Sequence, residues 1–340
     1  MSVERRPPSR RDALRITAAV GLTLGMGGSV LRRARLHRVR ETRPALGTLV
    51  TLTLIHPDPD EARTVLTGAF AGIDALEDAL SRHRPTSALA RLNRTGVLVD
   101  PPQALVRVLE SARRWSAETD GAFDPTVLPL LRLHQRCYGA GRAPTHDEVA
   151  DACARVDHRA LEVTPERVSL LRPGMAVTLD GIAKGYVVDR TVARLVEAGA
   201  ERVLVDAGGD MAGGGARLRT EPWQVAVADG SGRAAVDRIA LGEGAVATSG
   251  DYLQAFTGDR SAHHILDPRT GRSPAAVSSA SVIAPTAQDA DALSTAVLVL
   301  GPVEGLALLA RLPGVEGLLV TKGGEVRRTA GFGRRAGESG

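Results

Sequence analysis

The fold of this chain is decided by the segment Ala290-Asp291-Ala292-Leu293-Ser294-Thr295-Ala296, which follows the run His263-His264-Ile265-Leu266-Asp267-Pro268-Arg269-Thr270-Gly271. The apolar pattern predicts a helix over 289–300. On that helix the oxygens of Asp291, Ser294 and Thr295 project from one face. Oxygen donors without a nearby thiol or imidazole favour Mg²⁺, the usual companion of a bound phosphate or pyrophosphate. A helix cap with a solvated face is the alternative interpretation.

A second candidate site surrounds Lys184, one of two lysines in the chain. It lies in Gly181-Ile182-Ala183-Lys184-Gly185, between a predicted strand at 176–179 and a predicted helix at 187–198. Backbone N–H groups at such a helix start can face an anion, while the lysine supplies a full positive charge. The spacing fits neither the phosphate loop of nucleotide triphosphatases nor the dinucleotide fingerprint, so a turn without a ligand remains an alternative.

Two further features each allow two interpretations. His264 is a candidate general base, because an imidazole with a pKa near neutrality accepts a hydroxyl proton; the alternative is a histidine bonded to a backbone carbonyl. The segment Gly208-Gly209-Asp210 either lets the backbone approach a ligand closely or forms a tight turn.

The remaining pattern predicts strands and helices in alternation. Period-two runs predict strands at 47–54, 202–205, 223–227, 245–248 and 280–283. Apolar residues three and four apart predict amphipathic helices at 61–80 and 103–118, and Ser87 is the predicted N-cap of a short helix between them.

The composition limits the classes of function. The chain has 340 residues, a formal charge of +4, 43% hydrophobic residues and only 3% aromatic residues. Core material is ample, but any stacking platform must use one of few aromatic side chains or a histidine. No basic stripe with interleaved aromatic residues follows the first forty positions, so nucleic-acid binding is not expected.

The N-terminal 43 residues have the pattern of a targeting segment. The pair Arg10-Arg11 precedes a weakly apolar run at 16–31, which is typical of a twin-arginine export signal. We therefore expect an extracytoplasmic protein, with an uncleaved membrane anchor as one alternative and a basic tail as another. Cys137 and Cys153 allow a disulfide outside the cytoplasm, and two separate buried thiols fit equally.

Six blocks occur in order along the sequence: Leu46-Gly47-Thr48, 80–93, 120–129, 181–189, Val246-Ala247-Thr248-Ser249-Gly250-Asp251-Tyr252, and 264–271 together with 291–296. Together these blocks resemble the ApbE family, the FAD:protein FMN transferases. The resemblance covers 44–325, which predicts a signal and linker at 1–43 and a flexible C-terminal tail at 326–340. It implies a single enlarged, two-lobed, T-fold-like α+β domain, with mixed or antiparallel sheets and FAD in a cleft between the lobes.

The resemblance also implies the site residues. Mg²⁺ would be held by the carbonyl of Gly181 and by Asp291, Ser294 and Thr295. Contacts to FAD would come from Leu46, His83, Gly121, Ala122, Phe123, Thr178, Lys184 and Ile265. His264, Asp291 and Lys184 would form the catalytic set. Three positions depart from the family pattern: Leu46 replaces a usual Met, His83 a usual aromatic residue and Thr178 a usual Asp.

The implied reaction is a Mg²⁺-dependent transfer of FMN from FAD to a threonine hydroxyl of an acceptor protein, with release of AMP. The family's acceptors carry a short motif around that threonine, and they are mostly outward-facing redox subunits of the membrane, which agrees with the export signal. Two alternatives stay open. One is an FAD pyrophosphatase that gives FMN and AMP, and the other is a non-catalytic flavin-binding protein of the cell envelope.

Overall fold

The computed structural model describes residues 36–229 and 235–333. Its largest unit is an antiparallel sheet, and the order of its strands across the sheet is β1-β2-β6-β7-β10-β11-β12-β13. These strands are β1 (His37–Ala45), β2 (Thr48–His56), β6 (Arg202–Ala207), β7 (Asp210–Gly214), β10 (Gly244–Gly250), β11 (Val277–Ala284), β12 (Glu316–Thr321) and β13 (Val326–Arg328). The predicted twin-arginine segment lies outside the described residues.

Two smaller sheets and seven helices complete the described part of the chain. The small sheets are β3 (Val97–Val99), β5 (Arg167–Leu170) and β4 (Leu161–Val163), and the ribbon of β8 (Trp223–Ala228) and β9 (Ala235–Leu241). The helices are α1 (Pro59–Leu80), α2 (Ala88–Thr95), α3 (Gln103–Glu118), α4 (Leu128–Gly139), α5 (His146–Cys153), α6 (Ala183–Glu197) and α7 (Ala287–Leu309). The predicted α+β class is confirmed.

Alternating side chains of the large sheet build two cores, one on each face. On β6, Val203 and Val205 pack into the main core with α1, α6 and α7, whereas Leu204 points to the opposite face. There it meets a second core formed under the β8–β9 ribbon, which includes Trp223. The large sheet is therefore covered by helices on one side and by a two-stranded ribbon on the other.

The helical part of the chain shares the main core. Leu89 of α2 and Leu109 of α3 belong to the same buried cluster as the sheet residues. A separate small cluster joins α4 and α5 to Leu266, which lies two residues after His264. The two predicted lobes are thus joined by one continuous apolar core, and this arrangement fixes the position of the helical part against the sheet.

Structured backbone extends beyond the predicted domain boundary at both ends. Strand β1 starts at His37, inside the predicted linker, and pairs with the whole of β2. At the other end β13 pairs with β12, and Phe332 is buried in the second core, so the predicted flexible tail is structured as far as residue 333. Both strands lie at sheet edges and are rich in charged residues. Charged side chains protect an edge strand from pairing with another chain, but they interrupt the alternation of apolar residues by which a strand is recognised in a sequence.

The predicted strand at 176–179 is wrong, because this segment forms neither a strand nor a helix. The backbone of Val177 instead bonds the side chain of Asn93, and Thr178 donates its N–H to the carbonyl of Pro125 at 2.8 Å. A segment whose backbone bonds a side chain and a neighbouring loop can have the same pattern of apolar residues as a strand.

Helix α7 continues beyond its predicted end. It bends at Gly301, which has a φ of 82°, and then runs on to Leu309. By length and composition α7 could span a membrane, yet 61% of its apolar window is buried inside the protein. It is the central core helix, in contact with α6, β10 and β11.

Helices α6 and α7 cross at unusually close range. A Cβ at position 185 would lie 2.1 Å from the carbonyl oxygen of Ala287, so only glycine fits there. From α6, Asp189 accepts the N–H groups of Ala287 and Gln288 at 2.8 and 2.9 Å and so caps the first turn of α7. This contact fixes the position of α7 along its own axis relative to the first turn of α6.

Gly185→Ala should therefore destabilise the protein by at least about 3 kcal/mol, because backbone rather than a flexible side chain blocks the added methyl group. Gly139→Ala in α4 is the matched control, since a Cβ there meets nothing within 4 Å. Urea unfolding of both variants measures the difference. Equal stability of the two would contradict the close crossing.

Candidate active site

Lys184 stands in the first turn of α6 and forms an ion pair with Asp210 at the start of β7. Asp210 is 1% exposed, so the pair is held in a poorly solvated place. Burial alone would lower the pKa of Lys184, but Asp210 and Asp291 raise it above its ordinary value. The lysine is therefore a fixed positive charge at the helix start.

Asp291 projects from α7 toward the same place. Its side chain is buried, and its Oδ2 accepts the N–H of Gly185 at 3.2 Å. Burial raises the pKa of Asp291 well above the usual range, and the nearby carboxylate of Asp210 raises it further. The close crossing at Gly185 thus brings a carboxylate of α7 against the start of α6.

Hydroxyl groups follow Asp291 on α7 and face strand β10. Thr295 Oγ1 lies 2.9 Å from where a Cβ of Gly181 would be, so the threonine faces that backbone directly. Ser294 donates to the carbonyl of Asp291 at 2.9 Å and pairs with Ser249 of β10 at 2.8 Å. Ser249 also contacts Thr295 at 3.1 Å. The structure therefore places Thr295 against Gly181 and Ser294 against the backbone of Asp291, and the metal set stays a prediction.

The charges around this group leave an excess of negative charge. Lys184 interacts with three carboxylates, those of Asp210, Asp291 and Asp180. Arg82 compensates only Asp180, the outermost of the three, at 2.7 Å. No group of three or more His, Cys, Asp or Glu side chains suited to a metal occurs within 36–229 and 235–333. One buried carboxylate with hydroxyl and carbonyl oxygens suits a hard divalent cation such as Mg²⁺.

His264 follows a hairpin that leaves the end of β10. Ala255 pairs with His263 in that hairpin, and His264 donates its N–H to the carbonyl of Gln254 at 3.0 Å. Burial, followed by the neighbouring His263, lowers the pKa of His264 to about 4. The imidazole is therefore neutral at pH 7, as a proton acceptor must be.

The two histidines of this pair resemble each other in bonding. The side chain of His263 contacts the carbonyl of Pro274 at 3.2 Å, and the imidazole of His264 is influenced by a hydrogen bond to the backbone of Gln254. Nδ1 of each histidine is buried without a hydrogen-bond partner. Both interpretations of His264, a general base and an imidazole bonded to a backbone carbonyl, therefore fit the structure. The hairpin is anchored by Asp251, which is fully buried and forms ion pairs with Lys322 and Arg260.

The predicted flavin contacts fall into two groups. Ala122, Phe123, Thr178 and Ile265 are buried, and the ring of Phe123 packs against Gly181. Gly121 has a φ of 74° and open space around it. Leu46 and His83 instead belong to two surface segments, the β1–β2 turn and the loop after α1. Of the buried residues, Phe123 lies against Gly181 of the predicted metal set, whereas Leu46 and His83 belong to the two segments that bond the last turn of α1.

Sequence reasoning missed several residues of this site. Asp210 appeared only as the end of a glycine segment, and the structure shows a tight turn there, since Gly208 and Gly209 have φ of 68° and 105° between the paired Ala207 and Asp210. Ser249 lies in a recognised block without an assigned role. Asp180 directly precedes Gly181. Lys184 is the single lysine of the block 181–189 and needs a carboxylate partner if it is buried. That need is the sequence signal that could have identified Asp210.

Comparison with known proteins agrees with this geometry. The family model described as the ApbE family matches residues 46–319. The chain belongs to the ApbE family. A Treponema pallidum member named FAD:protein FMN transferase is 32% identical to it, over 94% of each chain.

Two solved structures of ApbE proteins share the fold. The structure of the ApbE protein of Thermotoga maritima matches with a TM-score of 0.79 and 31% identity, over 87% of this chain and 98% of that one. The apo flavinyl transferase ApbE of Pseudomonas stutzeri matches with a TM-score of 0.76 and 28% identity, over 87% and 96%. The match extends over nearly the whole length of both structures.

The lowered pKa of His264 predicts how acid affects stability. Below pH 6.5 the unfolded chain protonates this histidine, while the folded chain resists protonation until about pH 4. The free energy of unfolding should therefore fall as the pH falls through this window. Between pH 7.5 and pH 5 the free energy of unfolding should fall by roughly 1–2 kcal/mol less in His264→Gln than in the wild type.

Urea unfolding at the two pH values tests this prediction. His146→Gln, at an exposed position of α5, is the matched control and should keep the wild-type pH dependence. A His264→Gln variant with the same pH dependence as the wild type would show that the imidazole is not protected from protonation.

Proposed function

We propose that this chain transfers FMN from FAD to a threonine hydroxyl of an acceptor protein in a Mg²⁺-dependent reaction that releases AMP. The observation that carries the proposal is the cluster at the α6–α7 crossing. There Asp291 and Thr295 meet Gly181 and Gly185, with Lys184 beside them. The names of the similar proteins support the same activity.

The residues of this cluster divide into two tasks. Asp291, Ser294, Thr295 and the carbonyl of Gly181 would hold Mg²⁺, with Thr295 better placed than Ser294, whose hydroxyl already bonds Asp291 and Ser249. When bound, Mg²⁺ neutralises charge on the diphosphate. Lys184 and the helix start of α6 attract the same anionic group. Tightly fixed positions of this kind account for most of the rate gain in phosphoryl transfer.

His264 is the proposed general base. The acceptor threonine gives its hydroxyl proton to the imidazole, and its oxygen bonds the phosphorus on the FMN side of FAD. The bond from that phosphorus to the bridging oxygen breaks, and AMP leaves with that oxygen. Burial keeps this imidazole neutral at pH 7, so it can accept the proton, but the lowered pKa makes it a weaker base than an ordinary histidine.

The flavin end of the substrate would meet Leu46, His83, Gly121, Ala122, Phe123, Thr178 and Ile265. His83 is exposed and offers an imidazole face for stacking, in place of a larger aromatic ring. We further propose an extracytoplasmic site of action, with export through the twin-arginine segment and acceptors that are redox proteins outside the cytoplasm. An FAD pyrophosphatase and a non-catalytic flavin-binding protein are the competing functions.

Product analysis separates the three functions. The full chain is incubated with FAD, Mg²⁺ and a threonine-bearing acceptor peptide, and AMP and peptide mass are followed. The transferase gives a peptide heavier by FMN and an equal amount of AMP. Free FMN with AMP and an unmodified peptide would identify a hydrolase, and FAD bound without AMP release would identify a flavin-binding protein.

Asp291→Asn should abolish Mg²⁺-dependent AMP release, because it removes the only carboxylate among the proposed metal ligands. The fold should survive, since asparagine has nearly the same shape and the buried charge is costly. Asp151→Asn, at an exposed position of α5, is the matched control. Full activity in Asp291→Asn, measured as AMP release, would contradict the proposed metal site.

His264→Gln should lower kcat by about 10²–10⁴ while binding of FAD stays close to that of the wild type. The reason is that the base acts in the proton-transfer step and not in the ground state. Single-turnover transfer to the peptide gives the rate, and a binding titration gives the affinity. A variant that loses affinity but keeps kcat would assign His264 to binding instead.

A further inference from the structure

The β1–β2 turn holds Leu46 in an unfavourable backbone conformation. Leu46 has a φ of 54° and Gly47 a φ of 71°, so the two form the tight turn between the paired Ala45 and Thr48. Left-handed backbone is costly for a residue with a Cβ, and it persists only where its surroundings hold it. Of the described non-glycine residues with positive φ, Leu46 alone is apolar.

One carboxylate supplies that hold. Glu77, in the last turn of α1, accepts the N–H of Leu46 on Oε1 at 3.1 Å. Its other oxygen, Oε2, accepts from Arg84 at 2.7 Å. The side chain of Glu77 is only 15% exposed, so both bonds are largely shielded from water. Each oxygen of Glu77 therefore fixes a different segment of the chain.

Arg84 fixes the second segment, the loop 81–87 that contains His83. Besides Glu77, it pairs with Asp74 and Asp78 of α1, both at 2.7 Å. In the same loop, Arg82 pairs with Asp180, the residue before Gly181. The hydrogen bonds thus form a path from the β1–β2 turn through Glu77 and the loop to the metal set.

We propose that Glu77 is a positioning residue for the flavin end of the site, and this rests on the function proposed above. Leu46 and His83 belong to segments that are separate in sequence, and one carboxylate holds both. Without it the turn at Leu46 loses the acceptor for its N–H, and the two segments lose their common anchor. The effect should fall on FAD affinity rather than on the chemical step.

The test compares four variants of the full chain. Glu77→Ala removes both bonds, whereas Glu77→Asp keeps a charge near Arg84 but withdraws the oxygen from Leu46. Glu77→Gln keeps an acceptor for Leu46 without the charge. Asp78→Asn is the matched control, because it also removes a partner of Arg84 on α1 but has no contact with Leu46. Titration with FAD in the absence of Mg²⁺ gives Kd, and AMP release gives KM and kcat.

We expect Glu77→Ala and Glu77→Asp to raise Kd and KM for FAD at least about tenfold, with kcat within about threefold of the wild type. Glu77→Gln should retain most of the wild-type affinity for FAD. Asp78→Asn should have the wild-type Kd and KM for FAD. Thermal unfolding checks that each variant is folded. If Glu77→Ala is unfolded, the FAD affinity of Glu77→Asp is the deciding measurement.

Two results would overturn the inference. One is wild-type FAD affinity in both Glu77→Asp and a folded Glu77→Ala. The other is an equal loss in Asp78→Asn, which would trace the effect to Arg84 rather than to the bond with Leu46. A wild-type chain that binds no FAD would contradict the proposed function itself, which separates the two failures.

Discussion

The contact between Gly185 and Ala287 is the constraint on which the rest of the site depends. Because position 185 has no side chain, α7 can approach the start of α6 until the backbones touch. At that distance Asp189 reaches the first N–H groups of α7, and the N–H of Gly185 reaches Asp291. A wider crossing would break both bonds and separate the carboxylate of α7 from Lys184.

This arrangement concentrates charge where the protein can least solvate it. Two nearly fully buried carboxylates, Asp210 and Asp291, face a single ammonium group. Burial of charge is costly, and a well-packed apolar core would avoid it. Such a departure from ordinary packing is expected at a functional site. The carboxylates also explain why the partly buried Lys184 is held as an ammonium.

Much of this could be read from the sequence, and the failures have physical causes. The helix with Asp291, Ser294 and Thr295 and the glycine block around Lys184 depend on local spacing, which a sequence displays. The sequence predicts a pKa near neutrality for His264, but burial lowers it to about 4. Charged edge strands such as β1 lack the apolar alternation that marks a strand. Asp210 lies 26 residues after Lys184, on a strand of the large sheet, and Leu46 lies 31 residues before Glu77, so neither contact has a local signal.

The most direct test of the account is to locate a bound divalent cation. Crystals grown with Mn²⁺ in place of Mg²⁺ would give an anomalous signal at the metal position. The account predicts one strong peak within coordination distance of Asp291, Thr295 and the carbonyl of Gly181, and its loss in Asp291→Asn crystals. A peak at another carboxylate, or none at this crossing with FAD bound, would contradict the claim that the α6–α7 contact builds the metal site.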